Sequence, residues 1–196
     1  MPATRAMHIE DLEAQFLAIS VRAKALVDVA GPQLSTQRAS NGSWSVAECL
    51  EHLNISADSY FAVWPQAIAQ AGEWKEAGEP YKIGCRGRLL AWVLEPPARF
   101  KTKTQKWFEP SRSLEVGPVL EGFIDRQQKI IGVLRSCRGR AVDEVKIVSP
   151  VDSRIRYSVW SSFVITAAHE RRHLWQAEQA VNLLRPRQQT DALNVR

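Results

Sequence analysis

Residues 158–184 read SVWSSFVITAAHERRHLWQAEQAVNLL. The stretch predicts the last of a set of long helices, with the pattern ending at Pro186 and a polar, loose tail over 186–196. Within it His169-Glu170-Arg171-Arg172-His173 sets two histidines four residues apart. At 3.6 residues per turn such positions lie one above the other on a single face. Ser162, Thr166, His169, His173, Ala177 and Ala180 fall in one narrow sector. Small residues on both sides of the histidine pair predict a cavity facing the interior, because a filled apolar seam would need larger side chains.

Working back towards the N-terminus, three more long helices emerge. Over 8–30, Leu12, Phe16, Ile19, Ala23 and Leu26 recur at spacings of three and four, and Gly31-Pro32 predicts the stop. Ser45 followed by Glu48 is a capping-box pattern opening a second helix to about residue 71, with a kink or break at Pro65. A third covers 114–137, where Val119, Phe123, Ile130, Ile131 and Leu134 face inward. Residues 142–148 read as extended. The prediction is an all-α fold: an antiparallel four-helix bundle with a long irregular connection over 72–113, in which 87–94 forms a short helix. One domain over 1–185 accommodates all of this. So long a connection in a compact domain is more often functional than idle, which makes it a candidate rim or lid.

Composition excludes several classes. No apolar run is long enough to span a membrane, and the charged N-terminus lacks the apolar core of a signal peptide. Cys49, Cys85 and Cys137 are odd in number and form no CxxC pair, which suits a reducing compartment and predicts a cytoplasmic protein. The net charge of +5 is small and dispersed, so nucleic acid is not expected as the main partner.

The chemistry centres on histidine. His52 stands on the polar border of the second helix's apolar stripe, and His8 is the one other histidine in the chain. Bundles build metal sites from facing helices, so His52, His169 and His173 are the candidate ligands for one divalent ion. Imidazoles suit zinc or nickel, with iron or manganese as alternatives, and not magnesium or calcium. Three neutral ligands leave positions open to water or a small-molecule substrate. Cys49 is a candidate fourth ligand, although a small buried hydrophobe is the simpler reading. Glu48 and Glu170 are the carboxylates nearest the triad and the candidate bases. His-Glu-x-x-His is also the zinc-peptidase signature, but no third ligand follows His173, and Glu170 sits about 100° round the helix from His169. The seven tryptophans are mostly bundle packing, and the basic run 101–106 is a solvated loop or a rim for anions.

Three segments together resemble the DinB/YfiT-like superfamily of metalloenzymes. They are Trp44-Ser45-Val46-Ala47-Glu48-Cys49-Leu50-Glu51-His52-Leu53, then Ser149-Pro150 with Tyr157-Ser158-Val159-Trp160, and last His169-Glu170-Arg171-Arg172-His173-Leu174-Trp175-Gln176. The resemblance implies a four-helix bundle in which His52, His169 and His173 hold the metal. It places Gln176 at a recurrent position one turn beyond His173, where it would orient water or a ligand. It also implies a metal-dependent transferase or hydrolase, with a low-molecular-weight thiol as cosubstrate, and a homodimer. Residues 72–113 match nothing in the family pattern. A non-catalytic binding or stress-response protein, in which the ion only staples the helices, is the alternative.

Overall fold

A computed structural model describes residues 6–73, 80–99 and 104–185. The 186–196 tail, Trp74 and the 101–103 part of the basic run lie outside the described residues. Four long helices carry the fold: α1 (Ile9–Thr36), α2 (Val46–Phe61), α5 (Val116–Arg135) and α6 (Val159–Leu184). α1 packs on α5, α6 and α2, and α2 packs on α5 and α6. Ile9, Leu12, Phe16 and Ile19 of α1, with Phe123, Ile130 and Leu134 of α5, are essentially sealed from solvent. The apolar stripes read from the sequence therefore coincide with the core.

The helix boundaries show where local chemistry decides. At Ser45 the side chain accepts from the Glu48 N–H at 3.2 Å, while Glu48 Oε2 accepts from the Ser45 N–H at 2.9 Å. This is the reciprocal capping box that starts α2. The second helix does not run unbroken to residue 71. It ends at Phe61, and a separate α3 (Trp64–Gln70) follows with Pro65 in its first turn, where a missing N–H costs nothing. Gly31-Pro32 breaks α1 without ending it. Gly31 takes φ 69°, a left-handed conformation suited to glycine, and the chain re-enters a helical turn up to Thr36.

The all-α expectation needs one correction. Ala6–Met7 (β1) pairs antiparallel with Tyr81–Lys82 (β2), and Lys146–Val148 (β3) pairs with Arg156–Ser158 (β4). The extended reading of 142–148 holds for its last three residues, but the loop after it folds back as a hairpin that leads into α6. Between β2 and α5 lie α4 (Cys85–Leu94) and a 3₁₀ turn at Lys106–Phe108.

The connecting segment docks through specific contacts. Tyr81 stacks on Trp160 with ring centroids 4.3 Å apart and donates its hydroxyl to the Cys137 carbonyl at 2.7 Å. Next to it, Gly87 lets α4 press on α6, since a Cβ there would come within 2.5 Å of Ser161 Cβ and Oγ. That close approach makes α4 a wall beside α6. Among the described residues, no helix is long and apolar enough to cross a membrane.

Candidate metal centre

α2 and α6 run side by side, and their facing surfaces carry the three histidines. One candidate ligand nitrogen from each of His52, His169 and His173 lies within 4.8 Å of the other two. Nε2 of His52 and Nε2 of His169 are 3.2 Å apart. An ion bound tetrahedrally at about 2.0–2.1 Å would hold two nitrogens about 3.3–3.4 Å apart, so this pair already has the spacing a metal needs.

The tautomer of His52 follows from its other nitrogen. Nδ1 lies 2.8 Å from the Phe108 carbonyl, an acceptor, so Nδ1 carries the proton. In the neutral ring Nε2 then offers a lone pair towards His169. Backbone support of this kind fixes ring orientation at metal sites. Nδ1 of His173 is buried with no hydrogen-bond partner, an orphaned basic atom in a ring that touches both other imidazoles. The ring centroids are 4.4 Å from His52 and 4.6 Å from His169. Trp44 covers the cluster, tilted over His52 at 5.1 Å and stacked on His173 at 5.9 Å.

Electrostatics favours neutral rings. Burial lowers the pKa of all three histidines, and it pushes His169 down to about 3. Neighbouring imidazoles and the Arg172 charge act in the same direction on His169 and His173. Unprotonated imidazoles are the form that ligates. The donor set, the 3.2 Å spacing and the orphaned nitrogen thus fit a divalent ion of the zinc or nickel type.

The cluster opens onto a cavity of about 1280 Å³, bounded by α2, α4, α6 and the 104–112 segment. Thr166 and both histidines of α6 line it, as the small-residue sector predicted. The sector does not stay open along its whole length. Ser162 is filled by Trp64, whose Nε1 donates to Ser162 Oγ at 2.7 Å, while Ala177 and Ala180 are packed in the core. Gln176 stands at the cavity wall, where its side chain raises the pKa of His173 against the larger effect of burial.

Glu170 occupies a different place. It is buried on the α5 side, where Oε1 accepts from Gln127 Nε2 at 2.8 Å, and it is not among the residues lining the cavity. Burial pushes its carboxyl up to about 8. Glu48 is committed to the α2 cap and to Arg38. Cys49 is fully buried, its thiol is pushed up to about 12 by desolvation, and it does not join the histidine cluster.

Sequence reasoning missed several members of the site. The Phe108 carbonyl left no trace because a main-chain group has no residue signature. Tyr60 and Tyr157, whose hydroxyls meet at 2.7 Å in the cavity wall, carried a weak one. Tyr60 lies eight residues after His52, two turns further along α2 and about 80° round the helix. Arg172 follows His169 by three and also lines the cavity.

No curated protein and no solved structure matches the chain. The model of the DinB superfamily matches residues 15–177, a span that takes in α2, the histidine triad and most of α6. With a match over so much of its length, the chain belongs to the DinB superfamily.

Proposed function

We propose that this protein is a divalent-metal-dependent enzyme of the transferase or hydrolase kind, built as an antiparallel four-helix bundle and working in the cytoplasm. The observation that carries the reading is the convergence of three imidazoles on one wall of a large cavity. When bound, the ion supplies Lewis acidity, lowering the pKa of a water or thiol or polarising a carbonyl. The chain supplies the rest. His52, fixed by the Phe108 carbonyl, and His169 and His173, one turn apart on α6, set the ligand geometry. Trp44 shields the ring cluster from water. Gln176, on the same wall, is the residue we assign to orienting a water or ligand.

The family resemblance adds a low-molecular-weight thiol as the cosubstrate. A cavity of this size accommodates a thiol and a second small molecule together. The peptidase reading of His-Glu-x-x-His draws no support from the geometry, because Glu170 turns its carboxylate to Gln127. The stapling alternative draws none either, since Cys49 closes no fourth position.

Elemental mass spectrometry of purified protein tests the proposal, with wild type beside His52→Ala and His173→Ala. Near-stoichiometric metal in the wild type and its loss from both variants is the expected result. Wild-type protein that stays metal-free after incubation with zinc, nickel and manganese would overturn it.

A further inference from the structure

Beside the histidines, the cavity wall carries a second polar cluster, made of hydroxyls. Tyr60 of α2 and Tyr157 of β4 bring their hydroxyl oxygens to 2.7 Å, and both residues line the cavity although each is only 4% exposed. Thr166 of α6, equally buried and also in the lining, has an Oγ1 with no hydrogen-bond partner. It stands beside the Tyr60 hydroxyl, on whose pKa it acts against the larger effect of burial, yet no hydrogen-bond geometry closes between the two. The cluster is held firmly. The Tyr60 ring stacks on Trp64 with centroids 5.1 Å apart, and Trp64 Nε1 donates to Ser162 Oγ on α6. Tyr157 sits opposite Ile147 in the β3–β4 hairpin.

These hydroxyls hold more protons than they use. Tyr60 and Tyr157 carry one each and share a single bond, so one proton is left over. Ser149 Oγ accepts from the Val151 and Asp152 N–H groups at 3.2 and 3.4 Å, which engages both of its lone pairs. What Ser149 has to offer the neighbouring Tyr157 is therefore its own proton. In that order Tyr157 donates to Tyr60, and the Tyr60 proton is the spare one, next to the orphaned Thr166 hydroxyl. Burial raises the pKa of both phenols above the usual 10, so the O–H groups persist at neutral pH. A buried donor without an acceptor costs free energy. Two of them side by side in a cavity wall define the place of one oxygen that accepts from both.

We infer that the Tyr60 and Thr166 hydroxyls form a binding station for an uncharged carbonyl oxygen of the substrate, as in an amide, ester or ketone. Hydroxyls supply hydrogen bonds and no charge, and a carbonyl oxygen offers the two lone pairs that two donors require. Thr166 precedes His169 by three residues on the same side of α6, about 4.5 Å along the helix axis. A substrate held here by its carbonyl presents a group about one helical turn away to the histidine cluster. The assignment rests on the reading of the cavity as a substrate site, which it deepens by naming the group recognised.

The test uses the full chain, once with zinc and once with chelator, and two probes of one shape: acetophenone and α-methylstyrene, in which a methylene replaces the carbonyl oxygen. Ligand-observed NMR reads the affinity of each. The wild type is expected to bind the ketone at least about fivefold more tightly than the alkene with chelator present, as one added hydrogen bond allows. Tyr60→Phe and Thr166→Val are each expected to lower that preference several-fold while alkene binding stays as it was. Tyr157→Phe breaks the same tyrosine pair but leaves the Tyr60 and Thr166 donors, so its preference is expected to match the wild type. A pair that only ties α2 to β4 would make the two tyrosine variants alike.

Equal binding of ketone and alkene by the wild type, or no binding of the ketone, overturns the inference. So does a full preference retained by Tyr60→Phe or Thr166→Val, or an equal loss in Tyr60→Phe and Tyr157→Phe. Should Tyr60→Phe fail to fold, Thr166→Val, which changes shape little, decides with a second reading. The carbonyl carbon of ¹³C-labelled acetophenone is expected further downfield when bound to the wild type than to Thr166→Val, and identical bound shifts overturn the inference. A preference seen only with zinc places the carbonyl on the ion and overturns it as well. Metal content of the same samples keeps the two readings apart, since a wild type that takes up no metal but still prefers the ketone sinks the metal reading and leaves the hydroxyl station standing.

Discussion

The two seams of this helical protein are built from opposite materials. Where α1 meets α5, Phe16, Ile19, Phe123, Ile130 and Leu134 fill the space, and all but a trace of their surface is sealed. Where α2 meets α6, His52, Tyr60, Thr166, His169 and His173 face a cavity of about 1280 Å³. The first seam stabilises by burial. The second buries nitrogen and oxygen atoms instead, in an array beside a cavity. Apolar packing and the polar cluster thus lie on different sides of the same fold.

The separation has a direct consequence for mutation. Phe16→Ala on the apolar seam is expected to destabilise by about 3–5 kcal/mol, because transfer and cavity terms add where neighbours cannot collapse. Urea unfolding would measure this, and the metal content of the folded fraction should not change. Loss of metal at unchanged folded fraction would mean that the two seams are coupled, which would break the comparison.

On the polar seam the expectation is reversed. With free metal at a hundred times its dissociation constant, chelation should lower wild-type stability by about 2.7 kcal/mol. His173→Ala should abolish that dependence, so its melting temperature is the same with and without chelator. An effect of chelator that persists in the variant would place the ion elsewhere.

The apolar seam was fully legible in the sequence, since spacings of three and four along α1 and α5 report burial directly. The triad was legible too, because His169 and His173 share a helix face and His52 had few rivals. What could not be read are contacts that depend on the 72–113 connection. The Phe108 carbonyl reaches His52 across 56 residues of chain, and nothing in the side-chain pattern marks which main-chain oxygen will arrive. The hairpin before α6 was half legible, since β3 shows in Lys146–Val148 but its partner begins in a polar loop. Glu170 shows the limit of motif reading. Its place in His-Glu-x-x-His suggests a base, but the helix turns it towards Gln127.

Gly87 tests the wall that joins the cavity to the body of the protein. Gly87→Ala sets a methyl within 2.5 Å of Ser161, so α4 must shift away from α6. Overpacking of this kind costs about 1–3 kcal/mol. The loss should appear in urea unfolding, with the metal triad still loaded, because neither α2 nor the histidine turn of α6 moves. An unchanged midpoint would show that α4 is held loosely and that the cavity wall is adjustable.

The smallest effect is expected at the start of α2, where the polar seam is anchored. Burial pushes the Glu48 carboxyl up, but the Arg38 guanidinium and the Ser45 N–H more than offset this and hold it below its usual 4.5. A carboxyl whose pKa is depressed by folding contributes stability above its unfolded pKa, and that contribution is lost as pH falls through the folded value. Glu48→Gln removes the charge and weakens the cap, and about 1 kcal/mol is expected at pH 7, given that Arg38 is partly exposed and its pairing is screened. Because the wild-type carboxyl is itself protonated at low pH, the two proteins should converge as the pH falls below the depressed value. Urea melts at neutral and acidic pH measure both halves of this expectation. A gap that stays constant with pH would assign the loss to packing of the side chain and not to its charge. If instead Glu48→Gln loses metal at pH 7 while remaining folded, the cap would be what aims His52, and the anchoring of the helix would be part of the metal site itself.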